Sequence, residues 1–467
     1  MNFEKTLTER IRRHLSLVIA AAGVFSLFTS CSMREVSSAS DPSALSPIIS
    51  VSVTDSSVQP SETIEYTKKP FPALIESSAE WSQLYESTHG TDSASALIMS
   101  TEEIREFNRS VAENCAAVVD MTDLPKSIGR EELLGMIQKY SIPSGNYYDK
   151  SGRLITADEV EAIRANMNLG SIAEKTSPKT AVIVERCSLK SIPTELDFHK
   201  NGDTYYSVIQ ETELIASFPV QILHESADSR YLFVQSYYYF GWIPSEAAAV
   251  CSEESYMVFA SPENYVTVIQ PYTEISGTRY DMGAVLPYIS EDDSFFKVMK
   301  PSRSKENGML EFTIETVPMS DAVFGSLPYT YENFCSQAFR YLGTEYGWGG
   351  ADGGIDCSGF ICSVFRSFGI YLPRNTGDQQ MNSGPVTAVS GYSSEKTLSV
   401  FDSLKYPASV HRPGHVMLFL GVKNGVPYVI HAPQGGEKVS VMALSYTGDL
   451  KYISEIFTFP AETPVND

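Results

Sequence analysis

The residues whose types and spacing could do chemistry are one cysteine and two histidines. Cys357 ends the small-residue run of "GWGGADGGIDCSGF", residues 347–360. The "SGFICSVFRSFG" that follows it reads as a largely buried helix closed by a glycine. A thiolate at that loop-to-helix boundary meets backbone N–H groups that the helix does not use, at the positive end of its dipole. Both effects favour the charged sulfur, so alkylation below the free-thiol pKa of about 8.5 is the expectation. The glycines ahead of it let backbone approach a substrate closely.

His415 and His431 follow 58 and then 16 positions further on, in "HVMLFLGV" and "VPYVIHA". These read as two strands of a hairpin closed around Lys423-Asn424-Gly425. A two-residue Asn424-Gly425 turn puts the two imidazoles on opposite faces. A three-residue loop with Gly425 left-handed pairs Val422 with Val426 and His431 with Met417, so both imidazoles share a face. The second register is expected: it supplies a general base and a residue to orient it, as a cysteine nucleophile requires. A zinc site from the same three residues lacks a fourth ligand, so neither metal nor cofactor is expected.

The pieces "YGWGG…DCSGF", "LPRNT…Q", "GHVMLFLG" and "YVIHA", in the order Cys, His, His, resemble the NlpC family of bacterial cell-wall cysteine peptidases over about 110 residues. The resemblance implies a papain-like core that cuts peptidoglycan stem peptides. It makes Cys357 the nucleophile, His415 the base and His431 the orienting residue. The wider layout resembles the branch that cleaves the γ-D-Glu–diamino acid bond of peptides with a free N-terminal L-Ala. Carried over from that branch, Asp356 holds the substrate amine, with Ser358 after it and Tyr346 in the cleft. One departure is "FDSLKYPASVHRPGHV", a longer segment where many relatives have a Gly-Asp-Leu strand. Two other readings compete: a catalytically inactive cell-wall-binding lipoprotein, and a Cys/His amidase acting on another wall bond. Arg374 of "LPRNT" either binds a substrate carboxylate or ties to the catalytic helix, and Trp348 either walls the cleft or stops a helix.

The elements around this centre divide the chain. Residues 326–460 read as the α+β papain-like peptidase domain, with a helix in "TYENFCSQAFRYLG" carrying Phe334, Ala338 and Leu342 on one stripe. Residues 173–252 read as an SH3-like barrel ending in Gly241-Trp242-Ile243-Pro244, and 253–325 as a second barrel that includes "YMVFAS" as a strand. Substrate contacts from a barrel fall to the tyrosines of "DTYYSV" or "QSYYYF". Residues 61–172 read as a mostly helical module with capping boxes at Ser100–Glu103 and Thr156–Glu159. The fold class is thus multi-domain: an α+β peptidase domain preceded by two small all-β barrels and a helical module. His89, His199 and His224 read as surface residues, and His411 as part of a solvated loop.

Residues 1–31 resemble a bacterial lipoprotein signal, with arginines before the apolar run "LSLVIAAAGVFSLFTSC" and Cys31 as the lipidated residue. Residues 32–60, rich in Ser, Thr and Pro, read as a flexible tether. The expected setting is the bacterial cell envelope, with the protein exported and anchored to the membrane by lipid. A monomer acting on peptidoglycan or murein peptides is expected. A net charge of −22 over 467 residues gives phosphate backbones no purchase, which excludes nucleic acid as a partner. The other six cysteines show no C-x-x-C pair, and a bridge such as Cys187 with Cys251 is left open.

Overall fold

The computed structural model describes residues 77–459 apart from 141, 383–385, 406, 436 and 447–449. Cys31, the signal and tether segments and residues 61–76 lie outside the described residues. Both capping boxes form: Ser100 and Thr156 each accept the N–H of a glutamate three residues on, and that glutamate bonds back. The N-terminal elements diverge in packing. Trp81, Met99 and Ile104 join the core of the C-terminal α+β domain. Leu133, Ile137, Ile163 and Met167 pack with Phe198, Phe233 and Trp242 of the first barrel.

The first barrel is a seven-stranded antiparallel sheet built from strands between Lys179 and Val250. The second is a five-stranded sheet between Tyr265 and Phe324 with a separate hairpin, Tyr272–Ile275 with Thr278–Asp281. One apolar cluster runs through both barrels, from Ile183 and Val220 to Val266 and Val317. The segment expected as the strand "YMVFAS" is instead the helix Glu253–Ala260. Ser252 caps it, Glu253 and Glu254 sit at its positive end, and the buried residues Tyr256 and Phe259 are three apart, a helical period.

In the C-terminal α+β domain the helix Tyr331–Phe339 buries Phe334 and Ala338, but it ends before Leu342, which is 37% exposed. The sheet of this domain has six strands, numbered here in chain order: β1 Val386–Ala388, β2 Ala408–Arg412, β3 His415–Lys423, β4 Val426–His431, β5 Ser440–Ala443 and β6 Glu455–Thr458. Their order across the sheet is β1-β6-β2-β3-β4-β5. Leu418 and Leu420 on one face of β3 pack with Phe360, Ile361 and Val364 of the helix Cys357–Arg366.

The long segment before His415 starts at the last residue of a helix, Ser394–Phe401, and supplies β2. His411 is therefore not on a solvated loop. It is fully buried, 2.9 Å from Ser409 Oγ through Nε2 and edge-on to Phe457. Nor is His199 a surface residue: it is buried and its backbone bridges Tyr148 to the first barrel. The six described cysteines are all free and buried, Cys187 and Cys251 included. Among the described residues no helix is long and apolar enough to cross a membrane, and no group of three or more His, Cys, Asp or Glu could hold a metal ion.

Candidate active site

Cys357 is the first residue of its helix, and Asp356 is the N-cap. Asp356 Oδ1 accepts the Gly359 N–H at 2.7 Å, which closes the first turn and fixes where the thiol stands. Its Oδ2 accepts the N–H of Gly349 at 2.9 Å, which ties the glycine-rich loop to the helix start. Arg374 grips the same carboxylate with both terminal nitrogens, at 3.0 and 2.5 Å. Arg374 also donates to Ser358 Oγ at 2.9 Å and to Thr212 Oγ1 of the first barrel at 2.8 Å. It is a structural tie, and it reaches across two domains. Gln379 holds the neighbouring turn by donating to the Pro373 and Ser358 carbonyls.

The histidines come together by a route the sequence reading did not foresee. The hairpin turn has two residues, with Asn424 and Gly425 both at positive φ and Lys423 paired with Val426. That turn alone would separate the imidazoles. A bulge between Phe419 and Gly421 restores the register, so that Leu418 pairs with Ile430 and the next position sets Met417 opposite His431. Gly421 sits at φ +152°, and a side chain there would press on the Trp81 ring. As a result His415 Nε2 lies 2.9 Å from His431 Nδ1.

The other ring nitrogen of His415, Nδ1, is buried with no hydrogen-bond partner among the described residues. Val416, next along the chain, packs in the same apolar cluster as Cys357, and Thr376 Oγ1 lies 3.9 Å from the Cys357 sulfur. Burial raises the Cys357 thiol above its ordinary value, reinforced by the Asp356 charge and opposed by Val416, Thr376 and Arg374. Burial lowers His415 to about 3, helped by the neighbouring His431 and Arg412. His431 is lowered to about 4 by burial and by Arg412. Both shifts run toward a neutral thiol and a neutral imidazole, opposite in direction to the poised thiolate expected from the helix terminus, because the closure that positions the thiol strips it of water.

The first barrel packs against the loop that precedes Cys357. Tyr206 reaches over from the barrel, its ring edge-on to Tyr346 and Trp348 at 6.3 and 5.5 Å between centroids, and its hydroxyl accepts the Gly435 N–H. Trp348 donates from Nε1 to the Gln210 carbonyl at 3.0 Å, and Arg186 donates to the Gly350 carbonyl at 2.6 Å. A side chain at Gly349 would collide with Gln210 and Glu211, so that glycine is required for the barrel to dock. The Tyr346 hydroxyl is buried without a protein partner. Its pKa is driven up by burial and by the nearby Asp356 and Cys357.

Residues 343–455 match the NlpC/P60 family profile, and residues 197–244 match an SH3 domain of the SH3b1 type. The chain carries an NlpC/P60 domain behind an SH3 domain. The NlpC/P60 family is one of cysteine peptidases. The chain is 26% identical over 229 residues to a gamma-D-glutamyl-L-lysine dipeptidyl-peptidase of Bacillus cereus (strain ATCC 10987 / NRS 248), covering 46% of this chain and 62% of that one. It is 29% identical over 165 residues to the Bacillus subtilis (strain 168) protein of the same name, covering 35% and 49%. It thus spans about half to three-fifths of the length of these relatives. In overall fold it is similar to an NlpC/P60 endopeptidase structure from Photobacterium damselae subsp. piscicida, at TM-score 0.66 and 20% identity over 82% of this chain and 94% of that one.

Within the NlpC/P60 domain, Asp356 and Ser358 share Arg374 at the helix start that carries Cys357, Tyr346 lies near Asp356 and Cys357, and His415 and His431 pair with each other. Tyr206, contributed by "DTYYSV", packs against Tyr346, whereas Tyr238 and Tyr239 of "QSYYYF" are buried in the barrel. Sequence reasoning missed Thr376 and Val416, and it left Arg374 undecided. "LPRNT" signalled a motif, but only the fold brings its arginine to Asp356.

Proposed function

We propose that the protein is a peptidoglycan hydrolase whose NlpC/P60 domain cuts stem peptides at the γ-D-Glu–diamino acid bond through a Cys357 thioester. The observation that carries this reading is the buried Nδ1 of His415, without a hydrogen-bond partner among the described residues, whose Nε2 is held by His431 and whose chain neighbour Val416 packs with Cys357. His415 Nδ1 takes the thiol proton as sulfur attacks the carbonyl carbon. The same proton then goes to the leaving amine, and the thioester remains. Water attacks it while His415 Nδ1 accepts the water proton, the acid product leaves, and the proton returns to Cys357.

Tyr206 packs against Tyr346, which lies beside Asp356 and Cys357, and this aromatic wall would favour a short peptide terminus over a long chain. Asp356 serves as N-cap and partner of Arg374 first. Its longest bond, 3.4 Å from Ser358 Oγ, is the one a substrate amine would replace. We further propose that the protein is exported and held at the envelope membrane by lipid on Cys31.

The test is a mass-spectrometric digest of L-Ala-γ-D-Glu-diaminopimelate beside its N-acetylated form, with Cys357→Ala as control. Release of diaminopimelate from the free-amine peptide alone supports the bond and the amine requirement. Cleavage of both keeps the hydrolase and removes the amine requirement. Cleavage of neither overturns the reading.

A further inference from the structure

His415 works as a base only if its Nδ1 carries a lone pair, and nothing at His415 itself dictates that. A neutral imidazole has one N–H, and the hydrogen bond made by the other nitrogen decides which atom holds it. His415 Nε2 and His431 Nδ1 face each other at 2.9 Å, so one of them donates and the other accepts. If His431 donates, His415 carries its hydrogen on Nδ1, the nitrogen that acts as base in the reading above, and no proton can be taken from Cys357. If His415 donates, Nδ1 is free to accept. The choice passes to the far nitrogen of His431.

That nitrogen, Nε2, lies 3.4 Å from the Met442 sulfur. A thioether has lone pairs and no hydrogen, so it can only accept. Ser440 pairs directly with His431 across β4 and β5, and Met442 is two residues along the same face, diagonal to His431. His431 is 4% exposed, so water competes little for its Nε2.

We propose that Met442 is a positioning residue that sets the tautomers of both histidines. His431 places its hydrogen on Nε2, toward the Met442 sulfur. Its Nδ1 then accepts from His415 Nε2–H, and His415 Nδ1 is left as the base. The proposal rests on the catalytic reading above, but its direct test does not use turnover.

The test is ¹⁵N-histidine NMR of the whole protein at neutral pH, assigned with His431→Gln and His411→Asn. The expected result is a pyrrole-type Nε2 and a pyridine-type Nδ1 on both His415 and His431. A pyrrole-type Nδ1 on His431 overturns the proposal whatever the activity. The variants then test causation. Met442→Leu keeps apolar bulk but removes the acceptor, and it mixes the His431 tautomers and lowers kcat about tenfold with KM within about twofold. Met442→Gln offers a carbonyl oxygen, restores the tautomer signature and recovers most of that loss. Unchanged tautomers in Met442→Leu, or the same kcat loss in both variants, would show that Met442 only fills space.

Discussion

Arg374 and Asp356 form a two-pronged ion pair, both side chains almost wholly buried, directly beneath the cysteine at the helix start. A buried pair of this kind adds little by existing but costs much when halved, because the remaining charge has no water. Arg374→Met should therefore destabilise the fold by about 3–5 kcal/mol, read by chemical denaturation. Adding Asp356→Asn to that variant should cost less than the sum of the two single changes, since neither charge is then stranded. Strict additivity would mean that the pair is not coupled.

The thiol and the imidazole are shifted in opposite directions by the same burial. Burial pushes the Cys357 thiol up and His415 down to about 3, and both shifts favour the neutral pair across the physiological range. The rate of iodoacetamide inactivation of the free enzyme should accordingly climb with pH through the region above 9, without a plateau below it. A flat, fast rate from about pH 5 to 8 would indicate a resting thiolate–imidazolium pair and contradict this account.

How much of this was readable in advance depends on the range of the interaction. The nucleophile, both histidines and the helix cap are local pattern, and "DCSGF" carries its own N-cap aspartate. The common face of the two histidines was also read, but through the wrong turn. Asn424-Gly425 does form the two-residue turn that its type favours, and a bulge six residues from His415 compensates. That bulge depends on Gly421 meeting Trp81, more than three hundred residues earlier in the chain, a contact that no local period announces. His411 was misread for a similar reason: Pro413 and Gly414 suggest a loop, whereas the pairing of β2 with both β3 and β6 buries it. Met442 belongs to no motif, and only the register of β4 and β5 brings it to His431.

Gly421→Ala probes that compensation. The backbone there has φ +152°, and the added methyl would stand 3.2 Å from the Trp81 ring. A loss of about 1–3 kcal/mol in stability is expected, together with a fall in kcat as His431 drifts from His415. If Tm falls while kcat per folded molecule is unchanged, the bulge is not what aligns the histidines.

Three histidines of one sheet are held neutral by burial, and this sets an acid limit on the fold. For His411 the folded pKa is lowered from 6.5 to about 3 by burial alone. The stabilisation is complete above 6.5 and is lost as pH falls toward 3, because the unfolded chain takes up the proton first. Each such histidine contributes a slope of about 1.4 kcal/mol per pH unit in that window. His411→Asn should make the pH dependence of the denaturation free energy shallower by one such slope. An unchanged slope would mean that His411 is protonated in the folded state.

The first barrel's claim on specificity rests on Tyr206, which reaches the cleft from a neighbouring domain. Its ring meets Tyr346 and Trp348 edge-on, and its hydroxyl makes one long bond, 3.3 Å, to the Gly435 N–H. Two aromatic contacts at about 0.5–1.5 kcal/mol each outweigh a single long hydrogen bond. Tyr206→Ala should raise KM for the free-amine tripeptide about tenfold, the equivalent of about 1.4 kcal/mol, with kcat within about threefold. It should also narrow the preference over the N-acetylated peptide, because the wall that excludes a longer terminus is gone. Tyr206→Phe keeps the ring and should stay within about threefold of the parent in KM. Equal losses in the two variants would move the role from the ring to the hydroxyl, and the barrel would then act by fixing the Gly435 turn rather than by closing the cleft.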